Sequence, residues 1–164
     1  MTRLKLSEMG RHGEAMADVD GRHVYVPYAL PGEVVEADIS GSHALLRTIV
    51  TPSPERIEAF CPHFTRCGGC QIQQWQSDAY RLWKRGLVVT ALKNQGITAE
   101  VEPLIDAQGE GRRRATLHVK RTPEGVIAGF NAARSHDIHP LDFCPILVPA
   151  LAPVQPWSEP ASTT

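Results

Sequence analysis

The sequence predicts an α+β, β-rich fold. Three observations carry that expectation: apolar and polar residues alternate through most of the first sixty positions, one stretch near the middle has helical periodicity, and short turn-bounded segments follow it. At 164 residues, 42% hydrophobic and 21% charged, the chain is long enough for one domain of ordinary size or two small ones. Two small units are expected, with boundaries at 1–56 and 57–149, and 150–164 as a proline-rich, disordered tail.

The first unit reads as all-β. Arg3-Leu4-Lys5-Leu6 is an opening strand. Ala15–Val19 and His23–Val26 flank Asp20-Gly21, a dipeptide suited to a tight hairpin turn in which both central residues need positive φ. Val24, Val26 and Tyr28 share one side by period-two alternation, which gives the second of these strands a buried face. Pro31-Gly32 breaks the chain before a strand over Glu33–Ile39, and Gly41-Ser42 separates that strand from His43–Val50. About five short strands with turn signals between them suit an OB-like barrel. Such barrels often hold oligonucleotides, although a fold alone licenses no function.

Pro52-Ser53-Pro54 is a stiff connector to the second unit. Ser77 is placed to cap a helix that runs to about Asn94 and stops at Gly96. Tyr80, Trp83, Leu87 and Ala91 fall on one face, which should be buried as core. From Arg113 to Arg121, Ala115, Leu117 and Val119 alternate with Arg114, Thr116, His118 and Lys120, predicting a strand with one face inward and a basic face outward. Thr122-Pro123-Glu124-Gly125 turns into a second strand over Val126–Phe130, and a third extended segment near Asp137–His139 leads toward Cys144.

The four cysteines are the chemically telling residues. Cys61, Cys67, Cys70 and Cys144 have the spacing C-x5-C-x2-C-x73-C. Three clustered thiols and one remote thiol suit a cubane iron–sulfur cluster, whose corners need four thiolates. Gly68 and Gly69 let the backbone pass close to a sulfide. Zinc is the alternative, but its structural sites more often pair two short knuckles and only one C-x2-C is present. His63 in place of Cys144 is a weaker zinc reading, and no βαβ pattern surrounds Cys67 and Cys70 to make them a thioredoxin-like pair. The N-terminus has charge within it and no apolar signal-peptide core, and no apolar run suits a membrane span. The expectation is a soluble, cytoplasmic protein in which stable disulfides are out of place.

The net charge of −1 argues against binding nucleic acid by bulk charge. The exception is local: Arg112, Arg113, Arg114, Lys120 and Arg121 are cations in a stretch with no acid among them. Arg112, Arg113, Arg114 and Lys120 are the stronger candidates for phosphate contacts. Arg3 and Lys5 are the leading barrel candidates, with Arg11, His12, Arg22 and Arg47 behind them; each of these side chains suits a solvated surface equally well.

Taken together, Leu30-Pro31-Gly32-Glu33, Pro52-Ser53-Pro54-Glu55-Arg56, Cys61 through Cys67-Gly-Gly-Cys70-Gln71-Ile72-Gln73, Arg113-Arg114-Ala115 and Phe143-Cys144-Pro145-Ile146-Leu147 resemble the N-terminal part of the RNA (uracil-C5)-methyltransferases, over about residues 4–150. The resemblance implies an N-terminal TRAM domain, an OB-like RNA-binding barrel, followed by a small central domain. It also implies a [4Fe-4S] cluster on Cys61, Cys67, Cys70 and Cys144, as in the ribosomal-RNA branch that forms 5-methyluridine in 23S rRNA. Members of the family continue into a Rossmann-like domain that binds S-adenosylmethionine and supplies a cysteine nucleophile and a glutamate base. No strand–glycine–helix signature for that cofactor follows Val148-Pro149, so the expectation is a chain without catalytic residues or an S-adenosylmethionine site, inactive by itself. Its expected partners are ribosomal RNA and a methyltransferase domain supplied elsewhere, with no membrane.

Three rival classes compete. A standalone iron–sulfur electron carrier does not explain the β unit. A radical S-adenosylmethionine enzyme is marked by C-x3-C-x2-C rather than the x5 gap here. A zinc-stapled RNA-binding module predicts the same RNA contacts and a colourless protein.

Overall fold

The structure, a computed structural model, describes residues 1–105, 111–123 and 125–154. These residues form nine strands and one helix, which makes the fold α+β and β-rich as the alternation predicts. They divide into two compact units. The first is Met1–Phe60 with Gln71–Ile105; the second takes Cys61–Cys70 and, of the described residues, those that follow Ile105.

In the first unit β1 (Thr2–Lys5), β2 (Glu8–Met9), β3 (Glu14–Val19), β4 (Arg22–Pro27), β5 (Val34–Ser40) and β6 (His43–Thr51) form one sheet in the order β1-β5-β6-β4-β3-β2. The end strands β1 and β2 are neighbours in sequence. Between them Leu6 donates to the Glu33 carbonyl at 2.9 Å, while Ser7 donates to that of Met16 at 2.8 Å. Consecutive residues thus bond to opposite ends of the strand order, and the sheet curls like an OB barrel. Alternation places Leu4, Ala15, Ala17, Val24, Val26, Val35, Ala37 and Ala44 inside, joined by Leu6 and Ala29. Asp20 and Gly21 take φ of 54° and 76°, as a tight turn of β3 into β4 requires. Tyr28 departs from the expected alternation. It lies beyond β4 with φ 64°, so Val24 and Val26 are fully buried and Tyr28 is not.

Helix α1 (Ser77–Asn94) has the expected extent. Its end is a left-handed glycine cap: Gly96, at φ 70°, donates to the Lys93 carbonyl at 2.9 Å and Ile97 to that of Leu92 at 3.0 Å. Its start differs from expectation. Gln76, not Ser77, is the N-cap and supplies no side-chain capping bond: its Nε2 donates to the Pro54 carbonyl at 3.2 Å instead, as strand-like pairing continues up to Gln76, whose N–H donates to the Glu55 carbonyl at 2.9 Å. The burial prediction also fails: Tyr80, Trp83 and Leu87 are half-buried, Ala91 is exposed, and no helix residue is fully buried. The physical reason is that the covering is thin. Trp83 meets Trp75 with ring centroids 5.9 Å apart, and Arg85 Nε donates to the Val101 carbonyl at 2.7 Å.

The second unit carries β7 (His118–Thr122), β8 (Gly125–Asn131) and β9 (Ile138–Pro140), antiparallel in that order. The strand expected from Arg113 begins only at His118. Upstream, Arg112 donates to the Ile146 carbonyl at 2.7 Å and accepts from Val148 N–H at 3.0 Å, so that part of the segment is engaged by a different stretch of chain. β7 is also an edge strand without the predicted inner face, and Val119 is 63% exposed. The unit's apolar core instead comes from Leu141, Cys144, Leu147, Ala152 and Val154, with Leu117, Ala128 and Phe130 against them. Packing therefore continues to Val154, past the expected start of the tail at residue 150. Glu124 of the expected turn and residues 155–164 of the tail lie outside the described residues.

Candidate metal centre

All four cysteines belong to the second unit, and no disulfide joins them. Cys61–Cys70 is a succession of turns. Phe64 N–H donates to the Cys61 carbonyl at 3.0 Å, and Arg66 and Cys67 both donate to that of His63, at 3.2 and 2.9 Å. Thr65 between them takes φ 73°, a conformation that costs a β-branched residue about 1–3 kcal/mol. Cys67 then bridges to Ala132, and Gly68 N–H donates to the Asn131 carbonyl at 2.9 Å. A Cβ on Gly68 would stand 2.7 Å from that carbonyl oxygen, so the approach admits glycine alone. Gly69 N–H points at Cys67 Sγ, 3.4 Å away.

Cys144 arrives from the other direction, beyond β9. Its N–H donates to the Ala152 carbonyl at 2.8 Å, and it is one of the few fully buried residues of the unit. Burial pushes its thiol pKa up. The backbone N–H groups of Ile146 and Leu147 pull the other way, and the charges of Cys61 and Cys67 push it up again. Burial outweighs the opposing hydrogen bonds, so the net shift favours thiol over thiolate.

A histidine pair lies beside these residues. His63 Nδ1 and His139 Nε2 are 3.1 Å apart with the rings edge to face, and burial, then the charges of His63 and Arg66, hold His139 below its ordinary pKa. Composition gave no sign of it, because nothing in the spacing of two residues so far apart in sequence links them.

Among the described residues no three Cys, His, Asp or Glu side chains converge as the ligands of a single metal ion. A cubane makes a different demand, since each thiolate binds its own corner and the sulfurs need not crowd round one point. Four thiols in one unit, none of them in a disulfide and one of them buried, fit that donor set in type and number. A lone zinc would draw all four to a single centre.

The cationic candidates are divided between the units. Arg112, Arg113 and Arg114 are exposed on the segment before β7, and Lys120 is exposed within it. Arg3 and Lys5 are exposed on β1, with Arg3 donating to Glu36 at 3.1 Å. Arg47 donates to Asp38 at 2.7 Å, and Arg11 to His12 at 3.1 Å. No helix among the described residues is long and apolar enough to cross a membrane.

No family model matches the chain. Individual proteins do. It is 43% identical to an uncharacterised RNA methyltransferase of Brucella suis over 90% of this chain and 36% of that protein. With an uncharacterised RNA methyltransferase of Caulobacter vibrioides the identity is 36%, over 95% of this chain and 38% of the relative. A 23S rRNA (uracil-C5)-methyltransferase RlmD of Dichelobacter nodosus is 35% identical over 91% of this chain and 37% of its own. The chain thus spans little more than a third of the relatives it matches.

Proposed function

The chain belongs with the RNA methyltransferases over the segment it shares with them, and from that premise we propose that it is the RNA-recognition and [4Fe-4S]-binding part of a protein that forms 5-methyluridine in ribosomal RNA. The observation that carries the cluster assignment is Cys144. Cys144 is buried in the core of the same unit that carries Cys61, Cys67 and Cys70 on one turn-built loop, so a single unit supplies four thiols from two stretches of chain, the donor number and type a cubane takes. Cys61, Cys67, Cys70 and Cys144 would hold the cluster. When bound, it supplies a rigid four-point link between a turn-built loop and the core of the same unit, and its part is structural.

The barrel, as the TRAM domain of residues 1–56, contacts RNA by shape and backbone, with Arg3 and Lys5 among its cations. Arg112, Arg113, Arg114 and Lys120 contact phosphates from the central domain of residues 57–149. Methyl transfer from S-adenosylmethionine belongs to the longer protein that the relatives represent. With the four thiols assigned to the cluster, this segment offers none to add to uracil. The site of action is the cytoplasm.

Anaerobic purification followed by iron, sulfide and zinc analysis tests the reading. Brown protein with about four irons and four sulfides, lost in Cys144→Ala, is the expected result. Colourless protein with one tightly held zinc would replace it with a zinc-stapled RNA-binding module.

A further inference from the structure

Two of the motifs meet at a buried carboxylate. Glu33, from the Leu30-Pro31-Gly32-Glu33 turn, is 0% exposed. Arg56, from the connector after β6, donates Nε to Glu33 Oε1 at 2.6 Å and Nη2 to Oε2 at 2.9 Å, and the same Nη2 reaches the Tyr28 carbonyl at 2.9 Å. The N–H groups of Leu30 and Ser53 complete the carboxylate at 2.8 and 3.2 Å. Such a pair is costly to bury, and an apolar pair of similar volume would often serve stability as well. Its value lies in direction: a planar fork on two oxygens fixes Arg56 and, with the Ser53 bond, the backbone of the connector.

That backbone is where the chain returns. Ile57 N–H donates to the Gln74 carbonyl and Gln76 N–H to that of Glu55, both at 2.9 Å, with Arg56 bridged to Trp75 between them. Trp75 Nε1 donates to Glu55 Oε2 at 2.7 Å, Gln74 is buried, and Ile72 lies over Gly13 so closely that a Cβ there would be 2.9 Å from its Cδ1. Ile57 and Gln74 are therefore neighbours, and Cys61, Cys67 and Cys70 lie on the loop between them.

We propose that Glu33 and Arg56 are a positioning pair for the cysteine loop, clamping its root so that the three thiols are confined before a cluster binds. The inference rests on the cluster reading above. Loop closure is an entropy cost that assembly would otherwise have to meet when the cluster forms, and the clamp makes the closure in advance.

The test uses the full-length protein loaded anaerobically, with the rate of iron loss to excess chelator as the readout and amide hydrogen exchange in β3 and β4 as the monitor of the barrel. Arg56→Lys keeps the charge and loses the fork; Trp75→Phe loosens the root without touching Glu33. Both are expected to release iron about 10- to 100-fold faster than wild type, the range typical of partners that orient metal ligands, with barrel protection kept in Trp75→Phe. Release within twofold of wild type in both variants overturns the inference while the cluster reading stands. If Arg56→Lys exposes the barrel amides, Trp75→Phe alone decides. A wild-type protein that takes up no iron overturns the cluster reading and this inference with it.

Discussion

Every strand of the barrel except the two-residue β2 sends fully buried apolar side chains into one interior, whereas in the cysteine-bearing unit β7 sends none and the buried apolar side chains come from the irregular stretch Leu141–Val154. The barrel is held by a repeat: each second residue turns inward, and the ladders of β3 with β4 and β5 with β6 keep it in register. The other unit is held by particular contacts, such as glycine against a carbonyl, thiol among leucines, and Arg112 pinned to Leu147. Apolar burial that comes from a repeat stands by itself; burial assembled from single contacts gains most from a bound group that ties several of them together.

The largest way to break the comparison is to open the barrel. Leu6 is almost completely buried where the sheet closes, and Leu6→Ala is expected to cost the barrel about 2–5 kcal/mol. Denaturant unfolding followed by barrel amide exchange measures it, and amide protection in the cysteine-bearing unit should not change. Gly68→Ala acts on the other side. Its Cβ meets the Asn131 carbonyl oxygen at 2.7 Å and Ala133 N at 3.1 Å, so a cost of about 1–3 kcal/mol should fall on the cysteine unit and leave barrel protection intact. An equal loss in both units would dissolve the distinction.

Acid sharpens it more gently. Burial would raise the Glu33 pKa, but the bonds from Arg56, Leu30 and Ser53 and the charge of Arg56 outweigh it and hold the pKa below its ordinary 4.5. The folded chain then binds this proton less readily than the unfolded chain, so Glu33 contributes its full stability above about pH 4.5 and loses it as pH falls through the folded value. Barrel stability measured in urea from pH 6 to pH 3 should decline over that lower range, and Glu33→Gln should flatten the decline.

The difference between the units also explains what could be read from the sequence. Period-two alternation, Asp20-Gly21 and Gly96 are local signals, and they placed the strands, the hairpin and the helix end. Alternation at Ala115, Leu117 and Val119 has the same form, but of these only Leu117 packs on the core, the edge strand β7 fully buries none of its residues, and sequence does not record what lies above a strand. Ser77 was displaced as a cap by pairing at Gln76, a contact made with residues far back in the chain. Glu33 opens the strand expected over Glu33–Ile39, and nothing local marks it as buried; only the meeting with Arg56 puts it inside. In the candidate metal centre the spacing of the thiols was legible, while His139, Asn131 and the N–H groups after Cys144 were not, since they depend on which segments become neighbours.

The closed root of the cysteine loop has a consequence for how the chain is made. Arg56, Trp75 and Gln76 leave the ribosome well before Cys144 does, and at common synthesis rates the interval between Gln76 and Cys144 is roughly 3 to 14 seconds. Hairpins and short loops close far faster than that. The nascent chain can therefore close the root that joins Ile57 to Gln74 while Cys144 is still being translated, so the fourth thiol is made only after the other three are already on a closed loop.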